Sequence, residues 1–318
     1  MINKKKKNAE ITTQQIVMFI VLILSFAVIL YFIITINFGK NTDETVCHNS
    51  VITRSSIPLA KEVEAVPINC KTSYVCLSKD GSCEKMTSPE IIKVKTKEEV
   101  YSALAEQGAN CWWMFGEGKA DYIGNKFTSD LYCSICSQIA FDDSLENLFA
   151  IDLSDTAGIP KEFSSSLINK KDFYEYLAKT NVSGKDVTYL DYLLGLQNSK
   201  LISDALESKD YTFGYIDVRK QHFILMGEFS KVGVLQEIVT GAVKGALLFL
   251  VLPIPYVGGY LGMVVVASTV YNPFVKKGYL VGTTVAGESG HNYLSPAIIE
   301  ANSEDFSKLQ CADIKTLA

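Results

Sequence analysis

Residues 16–38 read IVMFIVLILSFAVILYFIITINF, directly downstream of Lys4-Lys5-Lys6-Lys7. No charged side chain occurs between Ile11 and Gly39. At 1.5 Å per residue this stretch reaches across a hydrocarbon core of ~30 Å, so it predicts a transmembrane helix from Ile16 to Phe38. Flanking lysines favour the cytoplasm, which orients the N-terminus inward and sends the rest of the chain outward. A cleaved signal peptide has a shorter apolar region and a small-x-small cleavage site. Here the run ends Ile34-Thr35-Ile36-Asn37-Phe38-Gly39-Lys40 without such a site, so an uncleaved anchor is expected.

The remaining chain is long enough for one large or two ordinary domains. Net charge is −5 and the four lysines supply +4, leaving −9 for the rest. An acidic surface repels phosphate backbones, so a nucleic-acid partner is excluded. Only two arginines occur, Arg54 and Arg219. Bidentate phosphate recognition leans on arginine, so nucleotide chemistry also loses ground.

Eight cysteines follow the anchor: Cys47, Cys70, Cys76, Cys83, Cys111, Cys133, Cys136 and Cys311. An even set on the predicted oxidising side reads as a framework of up to four disulfides, with connectivity open. If all pair, Cys311 joins one of the upstream seven and draws the C-terminal tail back to the body of the protein.

Six segments are expected: a cytoplasmic basic tail (1–15), the anchor (16–38), a cysteine-rich extracytoplasmic region (39–165), an α+β region (166–231), a Gly-rich apolar membrane hairpin (232–275) and an extracytoplasmic tail (276–318). Asn41–Ser50 reads as a polar stalk. Thr96-Lys97-Glu98-Glu99 has capping-box form and opens a helix, with Gly108 as a natural stop. Lys171–Lys179 and Asp186–Leu206 show helical spacing, and Tyr211–Phe229 reads as two strands about Arg219-Lys220-Gln221.

Between Glu237 and Lys276 the only charge is Lys244. Pro253-Ile254-Pro255 divides this block, because each proline removes a donor and disfavours helix before it. The arms, Val232–Leu252 and Tyr256–Val275, each carry glycines four apart: Gly241 and Gly245, then Gly258 and Gly262. That spacing lets helices approach closely in lipid and predicts a transmembrane helical hairpin. An even number of crossings would keep Cys311 outside, although Lys276-Lys277 beyond the second arm favour the opposite orientation. Lys244 at membrane depth would mark an ion path or a snorkelling side chain.

Cys133-Ser134-Ile135-Cys136 is a Cys-x-x-Cys, the spacing of a redox pair. Five other cysteines crowd the same region, so bridges to other partners are favoured. Only three histidines occur, His48, His222 and His291, with no His-x3-His, so no metal or other cofactor is expected. Trp112 and Trp113, inside Cys111-Trp-Trp-Met-Phe-Gly-Glu-Gly-Lys119, are packing residues or partner-binding anchors. Gly287-Glu288-Ser289-Gly290-His291 misses the nucleophile-elbow spacing. Asp142-Asp143 and Asp152 with Asp155 lack a calcium-loop pattern and read as solvated surface. Asn181-Val182-Ser183 is a glycosylation sequon.

The expected protein is therefore an extracytoplasmic α+β body with disulfides, an N-terminal transmembrane helix and a C-terminal transmembrane hairpin. Its expected role is binding or assembly in a cell envelope or surface complex, with the lipid bilayer and a protein partner or a second copy as partners. A membrane-tethered thiol-disulfide oxidoreductase using Cys133 and Cys136, and a pore-forming protein built around Lys244, are the alternatives.

Overall fold

The computed structural model of the chain describes residues 13–35, 38–57, 67–123, 131–146, 148–149, 166–207, 213–229, 247–249, 254–256, 259–261, 263–268, 279–286, 291–303, 306–307, 309, 311–314 and 316. Two compact units result, Met1–Asp43 and Glu44–Ala318.

The first unit contains α1 (Thr13–Thr35) and the beginning of α2 (Phe38–Ser56). The side chains described on α1 run from Val17 to Val28. Its large apolar members are all more than half exposed, Met18 most at 71 %. Ser25 returns its hydroxyl to the Val21 carbonyl at 2.8 Å, so the one polar side chain of this stretch is satisfied within the helix. Among the described residues no helix is long and apolar enough to cross a membrane.

The second unit is built on a mixed nine-stranded sheet. Its strands are β1 (Ser73–Ser78), β2 (Glu90–Lys93), β3 (Tyr132–Phe141), β6 (His222–Phe229), β7 (Leu247–Phe249), β10 (Met263–Ser268), β11 (Tyr279–Ala286), β12 (Asn292–Glu300) and β13 (Asp313–Ile314). The order is β2-β1-β3-β6-β12-β11-β10-β7, with β13 added beside β3. β1 runs parallel to β2 and β3; from β3 onward along this order every pairing is antiparallel. β4 (Leu167–Asn169) with β5 (Tyr215–Asp217), and β8 (Ile254–Tyr256) with β9 (Gly259–Leu261), form two small antiparallel pairs.

Helix α3 (Lys97–Met114) opens where the capping box predicts. The Glu99 N–H donates to Thr96 Oγ1 at 3.2 Å, and the Glu99 carboxylate accepts from the Lys95 N–H. Gly108 does not end it. A Cβ there would lie 3.8 Å from Leu193 and 3.9 Å from Pro296, ordinary contact distances, so the position lies inside the helix with room for a methyl group. α4 (Lys170–Lys179) and α5 (Tyr189–Glu207) follow the predicted spacing, with a break at Gly195 (φ 73°). α3, α4 and α5 contribute Leu104, Phe173, Leu177, Leu190 and Leu193 to the main core, together with Ile139 and Ile224 of the sheet. A second core of Leu131, Cys133, Ile135, Leu225, Leu294 and Leu309 lies with the tail.

Several expectations are corrected. Asn41–Ser50 belongs to α2 rather than to a polar stalk. Cys47, Val51 and Arg54 fall at i, i+4 and i+7 and are all buried, which gives the segment one inward stripe despite its polar composition. β3 from residues 39–165 and β6 from residues 166–231 are neighbours in one sheet, so the two segments are continuous there. The two strands of Tyr211–Phe229 form as predicted but do not pair with each other; β5 pairs with β4.

The described residues of the 232–275 block are strands, not arms of a helical hairpin. Val264-Val265-Val266 is β-branched at consecutive positions, and the prolines and glycines deny the segment a continuous helix. Lys244, Gly241, Gly245, Gly258 and Gly262 lie outside the described residues, as do Asp152 and Asp155.

Candidate functional site

All eight cysteines are paired: Cys47–Cys70, Cys76–Cys83, Cys111–Cys136 and Cys133–Cys311. The Cys133/Cys136 redox pair is thereby corrected. A register shift between Ile135 and Ser137 interrupts the regular alternation of β3 at Cys136. Cys136 lies in the main core and bonds α3, whereas Cys133 lies in the second core and bonds the tail. The tail is further held by β13 beside Tyr132-Cys133 and by the Ala312 N–H donating to Leu131 O at 2.8 Å.

The two tryptophans part company. Trp112 is buried, with its ring edge-on to Tyr293 at 6.1 Å. Trp113 is partly buried and stacks on His48 at 4.2 Å, and its carbonyl lies 2.7 Å from His48 Nδ1. The pair thus ties α2 to α3.

After α3 the chain turns through three successive left-handed residues, Gly116 (φ 80°), Glu117 (φ 56°) and Gly118 (φ 75°). A Cβ on Gly118 would sit 3.2 Å from the Trp112 ring. Glu117 lacks glycine's freedom and is held by its partners: Tyr192 OH donates to its carboxylate at 2.6 Å and Lys185 Nζ at 3.0 Å. Burial pushes this carboxyl up, and the two hydrogen bonds outweigh that, leaving it below the usual carboxylate range.

This turn delivers Asp121 to a polar cluster beneath the surface. The other members are Glu228, one residue from the end of β6, and His291, one residue before β12. Cross-strand register sets Tyr293 opposite Glu228, so His291 reaches over the strand end. His291 Nδ1 lies 2.9 Å from Glu228 Oε1 and 3.5 Å from Asp121 Oδ1. Tyr293 OH donates to Ala120 O at 3.0 Å and also lies 3.4 Å from Glu228 Oε1. One donor atom from each of Asp121, Glu228 and His291 falls within 4.8 Å of the other two.

Glu228 is fully buried, and among the described residues its Oε2 has no hydrogen-bond partner. Burial pushes its carboxyl up to about 7, and the Asp121 charge adds to the rise, against the lowering bond from His291. Asp121 and His291 remain partly open, at 12 % and 21 % side-chain exposure, which gives the cluster a route to solvent. Such a set can hold a divalent cation or move a proton. Nothing in motif spacing signals it, since His291 stands 63 residues from Glu228. The one sequence cue is the Gly-Glu-Gly turn that positions Asp121.

Elsewhere, a small apolar cavity of about 30 Å³ lies among Leu104, Phe173, Leu193 and Ile224, with room for little more than a water. No protein-family model, curated protein or solved structure matches the chain.

Proposed function

We propose that the protein is a membrane-anchored, extracytoplasmic binding or assembly subunit of a cell envelope or surface complex. The observation that carries this reading is the set of four disulfides in the unit Glu44–Ala318, which uses every cysteine of the chain. Disulfides persist in oxidising compartments and are rare in a reducing cytoplasm. The exposed apolar side chains of Val17–Val28, following four lysines, support the anchor read from Ile16–Phe38, of which they are the part whose side chains are described. The Cys133–Cys311 bond requires an even number of membrane crossings between its partners.

Binding is favoured over thiol chemistry because Cys133 and Cys136 are each committed to a different partner. Leu196, which follows the Gly195 break and is 77 % exposed, is one candidate contact. Trp113, half-buried beside His48, is a second candidate contact for a protein partner or another copy.

Two experiments test the reading. Replacing Leu24 and Ser25 with arginine should release the protein from membranes, and a wild-type chain recovered in the soluble fraction would refute the anchor. Gentle detergent extraction should recover a stoichiometric complex or homo-oligomer; a lone monomer refutes the assembly role.

A further inference from the structure

We propose that Asp121, Glu228 and His291 bind one first-row divalent transition-metal ion. Three observations carry the assignment. The first is distance. Metal–ligand bonds of ~2.1 Å place neighbouring ligands ~3.0 Å apart at right angles and ~3.4 Å apart at the tetrahedral angle. The separations from His291 Nδ1 to the two carboxylates, 2.9 and 3.5 Å, match those two edges.

The second is the buried oxygen. Among the described residues Glu228 Oε2 has no hydrogen-bond partner, although the side chain is fully buried. An unpaired buried carboxylate oxygen loses its solvation with nothing to compensate it. A cation chelated by both oxygens of Glu228 and bound by Asp121 supplies the missing partner and neutralises both charges.

The third is the donor set. His291 turns Nδ1 toward both carboxylates, so Nδ1 is the ligating atom and Nε2 retains the proton. One imidazole with two carboxylates suits Zn2+, Mn2+ or Fe2+; Mg2+ and Ca2+ prefer oxygen alone. The site goes beyond the anchoring and docking role and does not depend on it.

The test uses the full-length oxidised chain in detergent, stripped with EDTA and freed of chelator. Titration with Zn2+ should show one equivalent bound, and Co2+ should develop visible bands of a four- or five-coordinate ion. Glu228→Gln preserves shape and should weaken Zn2+ binding at least tenfold. His291→Ala should abolish it, and His48→Ala, at an imidazole elsewhere, should leave it unchanged. Near-ultraviolet circular dichroism checks that each variant is folded. Should either site variant fail that check, Cu2+-loaded wild type supplies the answer: electron spin echo should show nitrogen coupling from one imidazole. Wild type binding less than a tenth of an equivalent of Zn2+, undiminished binding by both site variants, absent nitrogen coupling, or Ca2+ binding more tightly than Zn2+ overturns the proposal.

Discussion

The Cys133–Cys311 bond closes a loop 178 residues long, whereas Cys76–Cys83 closes one of 7. The two bonds are otherwise well matched, since each joins one fully buried cysteine to one partly buried partner. In the chain-entropy account, a cross-link stabilises by restricting the unfolded ensemble, with a contribution that grows as the logarithm of loop length. The long loop then contributes about 5 kcal/mol at 25 °C and the short one about 2.3 kcal/mol. No other bridge lies inside the long loop to shorten it. Replacing both cysteines by alanine in each pair separately should therefore give variants that differ by about 3 kcal/mol, roughly a 150-fold difference in the unfolding equilibrium. Urea titration of the oxidised proteins reads this directly, provided the slopes agree closely enough to compare midpoints. Loss of the long bridge should also free residues beyond Ala301 to proteolysis, because β13 and Leu309 are tied to the body beside it. Equal midpoint shifts in the two variants would sink the entropic reasoning and assign both bridges a merely local role.

Gly118→Ala should cost more than Gly184→Ala, by ~1 kcal/mol or more. Both have similar positive φ, but only Gly118 also has the Trp112 ring within 3.2 Å of its added methyl, while Gly184 has open space; chemical denaturation of the two variants decides it. Burial, with the Lys170 charge adding to it, pushes the His222 ring down to about 3, although the Lys220 carbonyl and the Asp217 charge oppose the shift. Between pH 6.5 and 3 the unfolded chain binds the proton that the folded chain refuses. Stability should fall as pH falls through that window, by up to ~1.4 kcal/mol per unit from this group. His222→Leu should remove that part of the slope, and an unaltered slope in the variant refutes the assignment. Lys185→Ala should raise the Glu117 carboxyl toward its ordinary value, readable by carboxylate NMR titration, because Lys185 both donates to it and lends it positive charge.

Local chemistry made part of this protein legible. Thr96 and Glu99 announced the start of α3, apolar spacing announced α4 and α5, and an even cysteine set announced complete pairing. These are signals between residues a few positions apart, or counts that need no geometry. The cluster of Asp121, Glu228 and His291 was illegible for the opposite reason. Its members come from a turn after a helix, the end of one strand and the approach to another, and only sheet register brings them together. The apolar 232–275 block misled because length and hydrophobicity do not separate a membrane helix from a strand. Its consecutive valines and paired prolines were the better guide to β7–β10. Asn41–Ser50 hid a helix because one inward stripe, anchored by Cys47 and Val51, suffices when a bridge to Cys70 holds it.

The division of β3 between two bridges has a consequence for biosynthesis. Three of the four bonds join cysteines at most 25 residues apart and can close in order as the chain emerges. Cys133 has to wait for a partner 178 residues later, which at ~5–20 residues per second is roughly 10–35 s of translation. Throughout that interval its thiol stands three positions from Cys136, free to capture the wrong sulfur. Maturation of this protein thus depends on a disulfide isomerase, or on β3 folding soon enough to turn the waiting thiol to the far side of the sheet.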